Sequence, residues 1–110
     1  MIKLMKRDRI LLIVAPTLFE CFHAAKENGL VPPHIQGFRN VTRAIQLRGV
    51  RPGTPFIAVN RENWGSTQVG YDLDVALAML QRQGVVRIAQ EDDLDACRMY
   101  ADVPMRGALA

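Results

Sequence analysis

Along the chain, short runs of unbroken apolar residues alternate with longer stretches in which apolar residues recur every three or four positions. Arg9-Ile-Leu-Leu-Ile-Val-Ala15 is the first run, rich in branched side chains and stopped by Pro16. A run apolar at every position predicts a strand buried on both faces, as in a parallel sheet. Thr17-Leu18-Phe19-Glu20 follows with the spacing of a capping box. There the Thr17 hydroxyl can accept from the Glu20 amide while the Glu20 carboxylate reaches back to residue 17. The helix this opens is expected over Leu18 to Asn28, with Leu18, Cys21, Phe22 and Ala25 on one face and Gly29 as the left-handed stop.

The pattern then repeats. Val31-Pro32-Pro33 excludes helix and leads into a weak extended piece, His34 to Arg39. Asn40 or Thr42 can cap a short helix through Ala44, Ile45 and Leu47, ended by Gly49. After the turn Arg51-Pro52-Gly53, Thr54 to Asn60 reads as a strand centred on Phe56-Ile57-Ala58-Val59. Asn60 to Gly70 is polar and predicts a loop. A helix is expected from about Tyr71 to Gln83, with Leu73, Ala76, Leu77 and Leu80 inward and Asp72 and Asp74 at its positive end. Val85 to Ala89 is the next strand. Glu91-Asp92-Asp93 opens a last helix through Leu94 and Cys97, reaching about Ala101.

Strand and helix therefore alternate four times. The fold class expected is α/β: a small three-layer, Rossmann-like fold with a four-stranded, mostly parallel sheet. A chain of 110 residues fits one domain, here residues 1–103, with a frayed tail over 104–110.

In such sheets ligands bind outside the carboxyl ends of the strands. That edge gathers Thr17, Asn60, Arg61, Glu62, Asn63 and Trp64, which form the expected binding residues. Trp64 is the only tryptophan. In a loop it serves either as an exposed anchor for a partner or as a plug folded over the end of the core.

Charge adds a second candidate. The net charge of +3 hides an asymmetry: residues 1–55 carry nine Lys/Arg and three Asp/Glu, residues 56–110 five and eight. Lys3, Lys6, Arg7 and Arg9 precede the first strand. Arg39, Arg43, Arg48 and Arg51 surround the short second helix as a basic patch that could contact phosphates if they share a face. No aromatic interleaving or helix-turn-helix pattern accompanies them.

Several chemistries lack their signatures. The first turn reads Ala15-Pro16-Thr17-Leu18 in place of a G-x-G-x-x-G, and neither a P-loop nor a G-x-S-x-G elbow occurs. His23 and His34 have no Asp or Cys at ligand spacing. Cys21 and His23, two apart on a helix, do not face one another. Cys21 and Cys97 read as buried structural thiols. No catalytic residue, metal or cofactor is assigned. The longest apolar run is far short of the roughly 20 residues that span a bilayer, so no membrane contact and a cytoplasmic location are expected.

Two resemblances bear on function. Leu11-Leu-Ile-Val-Ala-Pro-Thr17 is similar to the strand and Ala-Pro-Thr turn of superfamily 2 helicase cores, but over seven residues only, and the P-loop and Asp-Glu box those enzymes need are absent. The strand end and helix after Val14-Ala-Pro-Thr17, the segment Val41-Thr-Arg-Ala-Ile-Gln-Leu-Arg-Gly49 and the strand Pro55 to Val59 together resemble small α/β proteins of unknown function from actinobacteriophages, over about residues 9–60. That resemblance implies a phage or prophage origin, hence the host cytoplasm, and no enzymatic activity. The functional expectation is a non-enzymatic accessory protein that binds a protein partner, host or self. Its alternatives are a small-anion or nucleotide binder at the strand ends, using Thr17 and Asn60, and a nucleic-acid binder through the basic half. A homodimer through an edge strand or the last helix stays open.

Overall fold

The computed structural model describes residues 11–30 and 38–97. The basic residues before the first strand, the start of the expected strand at 34, the end of the last helix and the expected tail lie outside the described residues. Four parallel strands form one sheet in the order β2-β1-β3-β4, with β1 Leu11–Val14, β2 Phe38–Val41, β3 Thr54–Ala58 and β4 Val86–Ile88. Helix α1, Leu18–Glu27, links β1 to β2, and α2, Gln68–Arg82, links β3 to β4. A third helix, α3, covers residues 91–97. The α/β reading holds, and the sheet is parallel throughout.

Strand β1 is central and buried along its whole length. Its side chains alternate between two cores. Leu11, Ile13 and Ala15 join Cys21, Ala24, Ala25, Leu30, Phe38 and Cys97 beneath α1 and α3. Leu12 and Val14 join Val41, Leu47, Phe56, Trp64, Leu73, Leu77 and Val86 beneath α2. Both cysteines are buried.

The helix boundaries follow their caps. Thr17 Oγ1 accepts from the Glu20 amide at 3.2 Å. Beyond Asn28, Gly29 turns left-handed at φ 75°, and the amides of Gly29 and Leu30 return to the carbonyls of Lys26 and Ala25. That pair of bonds is the Schellman motif. Helix α2 ends the same way, Gly84 and Val85 bonding back to Gln81 and Leu80.

Three expectations are corrected. Helix α1 buries Cys21, Ala24 and Ala25, while Leu18 and Phe22 are half exposed; the small side chains, which let the helix lie close to the sheet, face inward in place of the large ones. Strand β2, Phe38–Val41 among the described residues, runs past the expected end at Arg39 to Val41, in register with all of β1. The segment 60–70 is no loop: Arg61–Ser66 coil into a 3-10 turn, and α2 starts at Gln68 because Thr67 Oγ1 caps it, accepting from the Gly70 amide at 3.0 Å. Asp72 and Asp74 consequently lie past the first turn of α2 and not at its positive end.

The link from β2 to β3 is unusual. Parallel strands generally need a crossover of a dozen or more residues, most often a helix, and this one must also pass over β1 to reach β3 on its other side. Here the crossover, residues 42–53, holds the expected short helix as a four-residue 3-10 turn, Ala44–Leu47. Leu47 on that turn joins Leu12, Val14 and Val41 in the core beneath α2.

Candidate functional site

The order β2-β1-β3-β4 places the topological switch between β1 and β3, where the chain leaves first to one side and then to the other. Sheets of this kind bind ligands in the crevice outside the carboxyl ends of those two strands. The crevice is formed by Pro16-Thr17 after β1 and Val59-Asn60 after β3. Three polar side chains meet across it. Thr17 Oγ1 donates to Glu20 Oε1 at 2.9 Å, and Asn60 Nδ2 donates to Glu20 Oε2 at 3.2 Å. Glu20 thus accepts from the Thr17 hydroxyl, not from the residue-17 amide that a full capping box would supply. Asn60 holds this position in the left-handed region, φ 54°, which Asn tolerates better than most side chains. Arg43 closes the rim, donating to the carbonyl of Pro16 at 3.1 Å.

The consequence is electrostatic. A helix N-terminus attracts anions, but at α1 a carboxylate of this chain already sits there. A phosphate brought to Thr17 and Asn60 would face Glu20 at close range, so this geometry opposes the anion-binding alternative.

Of the other expected residues, Arg61 and Trp64 turn inward. Trp64 is 2% exposed and belongs to the core under α2. Its Nε1 donates to the Val59 carbonyl at 2.8 Å. It is the plug over the core edge, which corrects the reading as an exposed anchor. The physical reason is the 3-10 turn, which carries the ring back over the end of β3. Gly70 backs onto the Trp64 carbonyl so closely that a β-carbon there would overlap it. Arg61 lies over the indole, 5.8 Å from the ring centroid. It donates through Nε to Asp74 Oδ1 at 2.7 Å and through a terminal nitrogen to Gln81 Oε1 at 2.7 Å. Arg61 therefore fastens the turn to α2. Glu62 and Asn63 are exposed on the turn and do not join the Thr17–Glu20–Asn60 cluster. Among the described residues, no three His, Cys, Asp or Glu side chains group as metal ligands, and no helix is long and apolar enough to cross a membrane.

A second concave region lies on the α2 side of the sheet. Between the segment Ala44–Val50 and α2 runs a groove of about 520 Å³, floored by Leu47, Ala76, Leu80 and Val85. Its α2 wall shows Tyr71, Val75 and Met79, at successive four-residue steps on one helix face, exposed by 55%, 43% and 47%. Ile45, 65% exposed, stands on the 3-10 turn but does not line the groove. This groove occupies the place that a full crossover helix between β2 and β3 would fill. It was not found from the sequence, although the shortness of the segment 42–49 between two turn signals was a clue to it.

The basic patch divides around this groove. Arg48 lines it, and Arg39 donates to the Gln46 carbonyl on the same 3-10 turn at 3.2 Å. Arg43 points to the crevice, and Arg51 is exposed beyond the turn. The four do not share one face. Neither family models, curated proteins nor solved structures produced any match to this chain.

Proposed function

We propose that this chain is a non-enzymatic accessory protein that binds a protein partner by receiving one of its helices in the groove between residues 44–50 and α2. The observation that carries this reading is the missing crossover helix. A three-layer fold covers each face of its parallel sheet, and here the layer that holds α2 contains, in the β2–β3 crossover, only a 3-10 turn, leaving apolar walls between the two. An incoming amphipathic helix completes the layer and covers Tyr71, Val75 and Met79, in the helix-in-groove mode with anchors at i, i+3 or i+4 and i+7. The phage-like resemblance of residues 9–60 is compatible with an accessory role.

Selection tests the reading directly. A displayed library of random amphipathic helices is panned against the chain. Enriched sequences should share apolar anchors at helical spacing and should lose binding to Met79→Glu and Val75→Glu. No enrichment, or enriched helices that bind both variants as well as the wild type, would refute the proposal.

A further inference from the structure

We infer that the helix this groove receives is α2 of a second copy of this chain, the two copies being related by a twofold axis that runs along the groove. The inference rests on the groove being the docking site proposed above, and it names the partner. A twofold contact uses one patch twice, so that patch must be complementary to itself. This one is so in shape. It holds a hollow over Leu47, Ala76 and Val85 and, beside it, the exposed stripe Tyr71, Val75 and Met79 of α2. Residues at four-residue steps share one helix face. The stripe is therefore the apolar face of an amphipathic helix, which is the kind of occupant the hollow requires.

The patch is also self-complementary in charge. Among the described residues, two charged side chains line the groove, Arg48 on the 44–50 wall and Asp72 on the α2 wall. Both are exposed. Arg48 forms no ion pair among the described residues. Asp72 accepts from a neutral donor, Gln68 Nε2, at 2.8 Å, which leaves its charge uncancelled. A twofold axis along the groove exchanges its two walls. Each α2 then lies over the 44–50 segment of the other copy, and Arg48 faces the partner's Asp72. The contact gains two pairs of opposite sign and sets no like charges against each other, although each copy carries a net charge of +3. An unrelated amphipathic helix would fill one groove. A second copy covers both grooves at once and closes the assembly at two.

Sedimentation equilibrium of the full chain tests this, at loading concentrations from about 1 μM to 1 mM, the range that covers weak dissociation constants. The chain should show a monomer–dimer equilibrium, and Val75→Glu should abolish it. Arg48→Asp and Asp72→Arg should each weaken the dimer roughly tenfold, because each turns two exposed attractive pairs into two repulsive ones. At about 1 M salt, where the screening length is near 3 Å, that difference should shrink. An equal mixture of Arg48→Asp and Asp72→Arg should regain the wild-type affinity, because the mixed dimer sets an arginine against an aspartate at both contacts. This recovery requires contact between copies and shows that both variants fold. A dimer that survives Val75→Glu, or a mixture no tighter than either variant alone, overturns the inference. So does a chain that stays monomeric throughout. The groove reading outlives a monomeric result if amphipathic helices selected on the chain bind it and lose binding to Met79→Glu. If they do not, both fall.

Discussion

At the carboxyl ends of β1 and β3, polar side chains are paired with one another; along the β2–β3 crossover, apolar side chains face solvent. The first region is where the fold itself would put a ligand. Yet Thr17, Glu20 and Asn60 bond across it, and Trp64 fills the space beneath. The second region owes nothing to the fold's usual site. It exists because a 3-10 turn stands where a helix would pack. Topology tells where a site can form. Whether it is open depends on whether the side chains there have satisfied one another. A closed region should cost stability when altered, whereas an open one should cost binding alone.

The strongest way to break this contrast is Trp64→Ala. The indole donates to the Val59 carbonyl beside the crevice and packs in the core beneath α2. Removing a buried tryptophan from a core typically costs about 3–5 kcal/mol, measurable as a large fall in the urea midpoint. A loss below about 1 kcal/mol would mean that the crevice floor is loose and that its closure is not structural.

The next effect is smaller and depends on pH. Burial pushes the Cys21 thiol, under α1, from its ordinary 9.0 up to about 11. The fold therefore favours the neutral thiol. This contribution is fully present below pH 9 and is lost as pH rises towards 11, where the unfolded chain ionises first. At about 1.4 kcal/mol per unit, the loss over that window is roughly 2–3 kcal/mol. Urea midpoints between pH 9 and 11 should fall more steeply in the wild type than in Cys21→Ala. Equal slopes would show that the α1 face admits water.

The fold is largely legible in the sequence, and the reason is local. The run Leu11–Val14, the Thr17 cap and Gly29 each bias the chain the same way. Legibility failed where a residue's role depends on distant partners. Leu18 and Phe22 carry the helical period of a core face, but the approach of α1 to the sheet selects Cys21, Ala24 and Ala25. Polar composition made 60–70 look like a loop, although Arg61 reaches Asp74 and Gln81, well along α2, to pin it as a 3-10 turn. At the candidate sites, Thr17 and Asn60 come together at one edge, but the Glu20 carboxylate between them, which the local spacing assigns only to capping, is set there by a partner 40 residues away. The groove is a missing element, and periodicity does not report what is missing.

Thr17→Ala sharpens the contrast on the closed side. It removes the cap of α1 and one of the two bonds that hold Glu20. Loss of such a cap costs about 1 kcal/mol, and the Glu20 carboxylate then keeps only Asn60 as its partner in the cluster. The expected outcome is a modest drop in the unfolding midpoint, with no change in the binding of groove-directed helices. Any loss of helix binding would join the two regions that this account separates.

The smallest stability effect belongs to the open side. Met79 sits on the exposed face of α2 and closes no core. Met79→Ser should therefore shift stability by no more than about 0.5 kcal/mol, as surface substitutions generally do, while affinity for an amphipathic helix falls severalfold. The two readouts must separate for the groove to be an open site. If Met79→Ser costs well over 1 kcal/mol in urea unfolding, its side chain is packed in solution, the groove is closed, and what covers Tyr71, Val75 and Met79 is part of the folded protein itself.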